Sequence, residues 1–432
     1  MGVTLTDPMD ALAAEIVAGR CVAFVGAGFS APVCRVWTEL LATVAAEAAD
    51  PAVRAHVDGL LAQKSARAYE MAAQLLEDAF KDDPSALLRA LSKHTRRPKV
   101  SKEAEALMKR RRSMLEEIPF AAILTTNFDS ELDGDVLDTD TYAVLLRDAG
   151  ARWVERRFWR RASRVLKLHG DLRRAKRVTL SRRGYRTRLY AEPAYLHVLR
   201  SVLLTKTVLF LGFSFTDEYL NELRSEVLAY LAPEGNTPRY AYALLGDVPA
   251  SMGDHYRDHE AMHVFEYSTQ EGADHSGFDE FLGRLHAKTS PAAIMGGRLA
   301  NRRILWVDPS KDRNAKGRKY LEEATRGLCA IELAESPEEA IEVLAQPGGD
   351  VTYDLVISRW GHHPQRASDA TTLLDAMRAR DVRVPAVVFA SGDHAAENRE
   401  AALRLGALEY TSDWDTLFAV IDRRFSDPSA AR

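Results

Sequence analysis

Short apolar runs, each ending in polar or turn-forming residues, recur through the first 270 positions of the chain. The first run, Cys21–Val25, follows a helix that begins at Asp7 and Pro8, a capping pair. Later runs occupy residues 120–124, 165–168, 208–211, 240–245 and 264–267. Because helical spacing separates these runs, the pattern predicts a parallel sheet with helices covering both faces.

The segment 51–118 has a different pattern. It is rich in Ala, Leu, Glu, Lys and Arg at helical spacing and contains no strand-like run. We therefore expect a helical insertion on the sheet. Just before it, the order is an apolar run at 21–25, a glycine turn at 26–28 and a helical pattern at 37–48. This order is typical of the first βα unit of a dinucleotide-binding domain.

A second alternation of strands and helices begins after a stretch of small and turn-forming residues, which predicts a linker at 291–302. The predicted strands occupy residues 304–307, 329–333, 355–358, 384–389 and 407–410. Five βα units in this space predict a flavodoxin-like α/β domain at 303–428. The first α/β domain then spans residues 1–290.

Composition and charge narrow the class of protein. The chain has 432 residues, 46% hydrophobic and 28% charged, with a formal net charge of −4. This charge does not favour a nucleic-acid binder, although basic residues cluster between 152 and 188 and that surface could meet a partner or the phosphates of a ligand. The sequence shows no signal-peptide pattern and no apolar run long enough to span a membrane, so we expect a cytoplasmic protein.

The cysteines exclude two kinds of site. Cys21, Cys34 and Cys329 are odd in number and widely spaced, and no CxxC pair is present. The pattern therefore predicts neither a disulfide framework nor a zinc site.

The glycine turn alone is a weak signal. Its sequence GAGFSA, residues 26–31, fits GxGxxA, in which glycines let backbone N–H groups approach a pyrophosphate. A structural βα turn would look nearly the same. The acidic residue that usually binds ribose about 20 positions later is missing from any second strand, which disfavours an ordinary NAD dehydrogenase.

Four motifs in order make the signal specific. VAFVGAGFSA, ILTTNFD, VLKLHGD and LFLGFSFTDEYL each stand at the end of a predicted strand. Together they resemble the Sir2-like family, particularly its prokaryotic NAD-hydrolysing branch, over residues 15–270. The resemblance implies a Rossmann-like domain that takes NAD as substrate. Its implied site residues are Asn127 and His169 for catalysis, and Gly26, Ala27, Gly28, Ser30, Thr126, Asp129, Gly212, Ser214 and Asp217 for binding NAD or supporting that site.

The chemistry agrees with these residue types. Cleavage of the nicotinamide–ribose bond passes through an oxocarbenium-like transition state, as in glycoside hydrolysis. An imidazole such as that of His169 can accept a proton near neutral pH, and an asparagine amide can orient water and ribose together. We therefore expect an NAD glycohydrolase, which the resemblance links to bacterial antiphage defence.

Two alternatives remain open. The first is NAD-dependent protein deacylation or ADP-ribosyl transfer. It is disfavoured because three scattered cysteines cannot form the zinc module of deacylating sirtuins, and because PVCRVW follows the glycine turn where sirtuins have GIPDFR. The second is a non-catalytic sensor of NAD or ADP-ribose, which would not need both Asn127 and His169.

The second domain resembles the receiver domains of two-component signalling, without their phosphorylation chemistry. Asp308 is followed by Pro309 where receivers have an acidic pair, and Arg359 occupies the phospho-acceptor position. Ser391 fits the hydroxyl position, but Thr411 and Ser412 stand where a lysine is required. We expect a pseudo-receiver that binds a regulatory protein or phage trigger or forms a homo-oligomer; a Toll/interleukin-receptor-like domain is the alternative.

Overall fold

The fold is that of a computed structural model, which divides into two compact units with the boundary between Thr289 and Ser290. It describes residues 7–136, 165–173, 178–191, 193–215, 218–231, 241–270, 274–309, 315–345, 352–359, 369–390 and 395–426. Asp217, Ser391 and residues 152–164 and 174–177 of the basic segment 152–188 lie outside the described residues. None of the described helices is long and apolar enough to cross a membrane.

The first unit is built on a parallel sheet. Its described strands are β1 (Cys21–Val25), β2 (Ile123–Thr125), β3 (Asp135–Val136), β4 (Val165–Lys167), β5 (Thr207–Leu211), β6 (Ala241–Gly246) and β7 (Met262–Tyr267). They lie in the order β3-β4-β2-β1-β5-β6-β7, and every pair is parallel. The parallel sheet predicted from the apolar runs is confirmed. Only β3 was not predicted, because two residues are too few to form an apolar pattern.

Both faces of this sheet are buried, as expected for parallel strands with helical connections. Cys21, Ala23 and Val25 of β1 belong to one core cluster, and Val22 and Phe24 belong to another on the opposite face. Since side chains alternate along a strand, a strand buried on both faces has a continuous apolar sequence. The strand ends, where the apolar runs stop, are therefore where polar groups can gather.

The described helices of the first unit precede, connect and follow its strands along the chain. They are α1 (Pro8–Val17), α2 (Trp37–Ala45), α3 (Pro51–Leu61), α4 (Ala66–Ala79), α5 (Pro84–Thr95), α6 (Lys102–Glu117), α7 (Arg182–Ala191), α8 (Pro193–Thr205), α9 (Glu218–Leu231), α10 (Ala250–His259) and α11 (Ser276–Thr289). The predicted cap of α1 is present, because Asp7 accepts a hydrogen bond from the Met9 N–H at 2.9 Å. Helices α3 to α6 occupy the segment predicted to be helical, and α2 to α5 share an apolar core of their own.

The second unit is a smaller parallel α/β domain. Its described strands are β8 (Arg303–Val307), β9 (Ala330–Ala334), β10 (Leu355–Ser358), β11 (Ala386–Phe389) and β12 (Glu409–Thr411). Its helices are α12 (Pro291–Leu299), α13 (Ala315–Ala324), α14 (Pro337–Leu344), α15 (Asp369–Ala379), α16 (Ala395–Arg404) and α17 (Trp414–Ser426). The strand order β12-β11-β10-β8-β9 is the flavodoxin-like order, so the predicted fold class is confirmed.

The linker predicted at 291–302 is wrong for most of its length, because residues 291–299 form α12. Ser290 caps this helix by accepting a hydrogen bond from the Ala293 N–H at 3.3 Å, and Pro291 occupies its first turn. A Cβ on Gly296 would lie 2.4 Å from the carbonyl oxygen of Ala324. The small residues that suggested a linker therefore permit close packing of α12 against α13.

Candidate active site

The glycine turn after β1 packs against the turn after β5. The N–H groups of Gly26 and Gly28 donate to the carbonyl oxygens of Leu211 and Gly212, both at 2.9 Å. Gly212 has a φ of +62°, and a Cβ there would lie 2.4 Å from the nitrogen of Phe29. Glycine is needed in both turns because the two backbones touch. These two N–H groups therefore hold the two turns together.

Asn127, which follows β2, joins this group from the neighbouring strand. Its Nδ2 donates to the carbonyl oxygen of Gly26 at 3.1 Å and to the Ser30 Oγ at 3.3 Å. Its backbone N–H donates to the Thr125 hydroxyl at 3.1 Å. Asn127 and Ser30 are both buried. Since both protons of the amide are used within the protein, the side-chain oxygen is the atom that Asn127 can offer to a ligand.

Asp129 holds the same loop in place through its hydrogen bonds. Its carboxylate accepts from the Glu131 N–H at 2.9 Å and is hydrogen-bonded to Ser30. Burial raises the pKa of Asp129, and this effect outweighs the lowering by those hydrogen bonds. The carboxylate therefore sits in a water-poor environment, where hydrogen bonds and charges act strongly.

A buried ion pair connects the Asn127 loop to the turn after β4. The Lys167 Nζ lies 2.5 Å from the carbonyl oxygen of Asp129 and 2.9 Å from the Asp171 Oδ2. Both charged side chains are fully buried. Burial alone would raise the pKa of Asp171, but hydrogen bonds from Lys167 and from the Arg173 N–H lower it overall. Lys167 thus holds together the two loops that carry the predicted catalytic residues.

His169 lies in the turn after β4, between the two members of that ion pair. Its carbonyl oxygen accepts from the Thr179 N–H at 2.9 Å, and Gly170 beside it has a φ of +94°. Its Nε2 lies 2.5 Å from the Tyr185 hydroxyl on α7. The ring centroids of His169 and Phe128 are 6.1 Å apart, so the imidazole is next to the Asn127 loop.

A cavity of about 250 Å³ opens beside His169. It lies among α7, α8 and α9, and most of its wall is aromatic or aliphatic. Its lining residues include Thr126, His169, Tyr185, Tyr195, Arg200 and Tyr219. A partly apolar cavity with a few polar groups is the usual form of a small-molecule site.

The structure brings most of the predicted site residues together. Gly26, Gly28, Ser30, Asn127 and Asp129 form one bonded cluster with Gly212, and Thr126 and His169 line the adjoining cavity. Ala27 lies in the short 3₁₀ turn Ala27–Phe29, and Ser214 is exposed beyond the turn after β5. Asp217 lies outside the described residues.

Sequence analysis missed Lys167 and Tyr185 as parts of this site. For Lys167 a signal existed, because a lysine at the end of a buried strand must find a partner, and Asp171 stands four positions later. For Tyr185 no local sequence pattern could have indicated a place in the site. It is 16 residues from His169, and the two meet only through the return of the chain into α7.

Among the described residues, no group of three or more His, Cys, Asp and Glu side chains is arranged to hold a metal ion. Cys21, Cys34 and Cys329 are free and buried. Burial raises the pKa of all three thiols, that of Cys329 to about 11.

The second sheet carries different groups at its edge. Asp308, which follows β8, is buried, and its Oδ1 lies 3.9 Å from the Arg359 guanidinium that follows β10. The Thr411 hydroxyl at the end of β12 accepts from the Asp413 N–H at 2.9 Å. A basic side chain thus faces the acidic one at the carboxyl edge of this sheet.

Comparisons with known proteins find similarity for part of the chain. Residues 121–264 match the SIR2-like domain family. This segment holds three of the four ordered motifs; the glycine turn precedes it. NAD(+) hydrolase ThsA from Cytobacillus dafuensis is 25% identical over 167 residues, which are 38% of this chain and 33% of that protein. The match thus spans about a third of the length of this relative.

Among solved structures, two mutant forms of the receiver domain of the histidine kinase CKI1 from Arabidopsis thaliana are similar to part of the chain. They are 17% and 16% identical, and each match covers 31% of this chain and 95% of that domain, with a TM-score of 0.25.

Proposed function

We propose that the first unit hydrolyses NAD to nicotinamide and ADP-ribose. The observation that carries the proposal is the buried cluster of Asn127, Ser30 and the glycine turn, placed beside the cavity that His169 lines. The similarity of residues 121–264 to SIR2-like domains, and of part of the chain to a protein named as an NAD hydrolase, supports NAD as the substrate.

The reaction requires little from the protein at the leaving group. When the bond between ribose C1′ and the pyridinium nitrogen breaks, its electron pair stays on nitrogen and nicotinamide leaves as a neutral molecule. Water then forms the new C1′–O bond and gives up one proton. His169 is the base for that proton, since an imidazole is largely neutral near pH 7.

Asn127 has a positioning role in this scheme. Its Nδ2 is held by Gly26 and Ser30, so the amide cannot rotate without losing both hydrogen bonds. The fixed Oδ1 can accept from a water molecule or a ribose hydroxyl, which reduces the orientational freedom that the reaction must otherwise overcome. Asp129 and Lys167 keep this loop in place.

The test is nicotinamide release from NAD by the purified full-length protein and its variants. We expect His169→Ala to lower turnover by about 100-fold or more, the usual contribution of a positioned acid–base group. For Asn127→Ala we expect a loss of about 100-fold, because water and ribose would no longer be held in the reactive orientation. His56→Ala, which removes an exposed imidazole on α3, is the matched control and should turn over like the wild type.

The other outcomes decide between the alternatives. NAD binding without turnover, unchanged in His169→Ala, would support the sensor and contradict the hydrolase. Nicotinamide release that requires an acylated peptide or a protein acceptor would support deacylation or ADP-ribosyl transfer. Turnover that survives both substitutions would place the reaction elsewhere.

We propose a regulatory role for the second unit, as a pseudo-receiver that contacts a partner protein or a second copy of the chain. The contact of Arg359 with Asp308 supports a receiver edge that does not accept phosphate. Antiphage defence, a cytoplasmic location, a homo-oligomer and the absence of zinc and of nucleic-acid contact stay predictions. Light scattering tests the oligomer, and a monomer at every concentration would contradict it.

A further inference from the structure

A tyrosine hydroxyl is hydrogen-bonded to the ring nitrogen of the proposed base. The Tyr185 Oη lies 2.5 Å from the His169 Nε2, and both residues are buried. The two rings meet edge to face, with centroids 5.0 Å apart and an interplanar angle of 88°. A neutral imidazole accepts at one nitrogen and donates at the other, so a hydroxyl that donates to Nε2 fixes the tautomer with its proton on Nδ1.

Tyr185 is held in place from two sides. Its ring stacks on Tyr219 of α9, with centroids 4.9 Å apart and an angle of 18°. The start of α7 is tied to α4, since the Ser181 hydroxyl bonds to Glu77 and the Arg183 guanidinium pairs with Asp78, each at 2.5 Å. The hydroxyl is thus part of a packed structure and not the tip of a loose loop.

This arrangement determines how a proton can reach His169. Tyr185 and His169 line the same cavity, and the hydroxyl occupies a hydrogen-bonding position at Nε2. A water molecule in the cavity would have to displace the hydroxyl to reach that nitrogen. Displacement would break the stacking on Tyr219 and leave a buried hydroxyl without its hydrogen bond to His169. Proton transfer through the hydroxyl needs no movement of the ring.

We propose that Tyr185 is a further catalytic residue that relays the proton from the attacking water to His169; this rests on the proposed NAD hydrolysis. As the water oxygen bonds to C1′, its proton passes to the Tyr185 oxygen, and the tyrosine proton passes to the His169 Nε2. Tyr185 is neutral before and after the step, and His169 becomes an imidazolium. Water supplies the oxygen of the product, and no redox partner is involved.

The first experiment compares Tyr185→Phe with the wild type in steady-state NAD cleavage. Phenylalanine keeps the ring, its stacking and its burial, and removes only the hydroxyl. We expect kcat to fall by about tenfold or more with KM changed by less than about twofold, the signature of an interaction made only in the transition state. Tyr230→Phe, which makes the same change at an exposed position of α9, is the matched control.

Proton inventories then separate a relay from a structural role. In mixtures of light and heavy water, two protons in flight give a curved dependence of kcat on deuterium fraction, and one proton gives a line. We expect a curve for the wild type and a line for Tyr185→Phe. A line for both proteins, or a kcat for Tyr185→Phe equal to that of the wild type, would overturn the relay. A faster variant would also overturn it and identify Tyr185 as a block on the base.

A readout that does not depend on turnover distinguishes failure of the relay from failure of the proposed function. Nitrogen NMR of the labelled imidazole side chains reports which ring nitrogen of His169 carries the proton. We expect the Nδ1-protonated tautomer in the wild type, since the relay requires an Nε2 that can accept a proton. If NAD is not cleaved by the wild type, the function fails whatever the tautomer. If NAD is cleaved but His169 carries its proton on Nε2, the relay alone fails.

Discussion

The two sheets of the chain have the same architecture, all-parallel strands covered by helices, but their carboxyl edges differ. At the edge of the first sheet, two glycine turns touch and a buried amide, hydroxyl and carboxylate are bonded to one another. At the edge of the second sheet, Pro309 follows the first strand and Arg359 faces Asp308. Beside them the Ser358 Oγ is buried without a hydrogen-bond partner among the described residues.

The difference shows where function resides in such domains. A parallel sheet places several strand ends side by side, so any fold of this class offers an edge for a site. Whether chemistry occurs there depends on the few residues that end the strands. The first edge combines backbone turns that permit close approach with polar groups that satisfy one another. The second edge combines one acidic and one basic side chain, Asp308 and Arg359.

The largest expected effect comes from adding a methyl group to Gly212. The alanine Cβ would lie 2.4 Å from the Phe29 nitrogen, and alanine also disfavours the φ of +62°. We expect the substitution to lower the free energy of unfolding of the first unit by about 2–5 kcal/mol and to abolish NAD binding. Urea unfolding and calorimetric titration with NAD measure the two effects.

Gly327 in the second unit is the matched control. Its φ is +75°, but a Cβ there would meet nothing within 4 Å. Gly327→Ala should therefore cost only the backbone strain, about 1–2 kcal/mol, and should leave NAD binding unchanged. Equal losses in the two variants would mean that backbone strain, and not the contact between the turns, makes glycine necessary at residue 212.

A smaller effect of opposite sign is expected for Asp129→Asn. Because burial raises the pKa of Asp129, the folded state binds a proton more readily than the unfolded chain. The charged carboxylate therefore destabilises the fold at neutral pH. The penalty shrinks as the pH falls through the folded pKa and is gone only below the unfolded pKa. We expect Asp129→Asn to raise the free energy of unfolding by about 1 kcal/mol at pH 7 while lowering NAD turnover.

Unfolding measured across pH checks the sign. The gain of Asp129→Asn over the wild type should be largest at neutral pH and should shrink in acid. A variant that is less stable than the wild type at pH 7 would show that the hydrogen bonds of the carboxylate outweigh its burial.

The sequence predicted the fold well because apolar runs report directly on strands buried on both faces. Among the described strands, all except the two-residue β3 were predicted. A linker was predicted at 291–302 from small residues, but α12 occupies most of this range. A glycine such as Gly296 is typical of turns, and in the structure it permits close packing of two helices. Asn127 and His169 could be singled out because the ordered motifs that contain them resemble those of the Sir2-like family. Tyr185 could not, since its contact with His169 depends on the three-dimensional course of the chain.

The smallest expected effect tests the second edge. The proposed resemblance to receiver domains puts Arg359 at the phospho-acceptor position, and its guanidinium lies 3.9 Å from Asp308. Arg359→Asp would place two carboxylates together, a donor set that Mg²⁺ prefers. We expect Mg²⁺ to leave the unfolding of the wild-type second unit unchanged and to stabilise the Arg359→Asp variant by about 1 kcal/mol, as weak binding to the folded state alone would do.

NAD turnover should be the same in the wild type and in Arg359→Asp, with and without Mg²⁺, because the substitution alters only the edge of the second sheet. Arg383→Asp, a like change of charge at an exposed position that pairs only locally with Asp381, controls for the added negative charge and should show no Mg²⁺ response. Stabilisation of the wild type by Mg²⁺ would mean that Arg359 does not close this edge to cations. The proposed difference between the two sheets would then be wrong, because the carboxyl edge of each sheet would carry a ligand site.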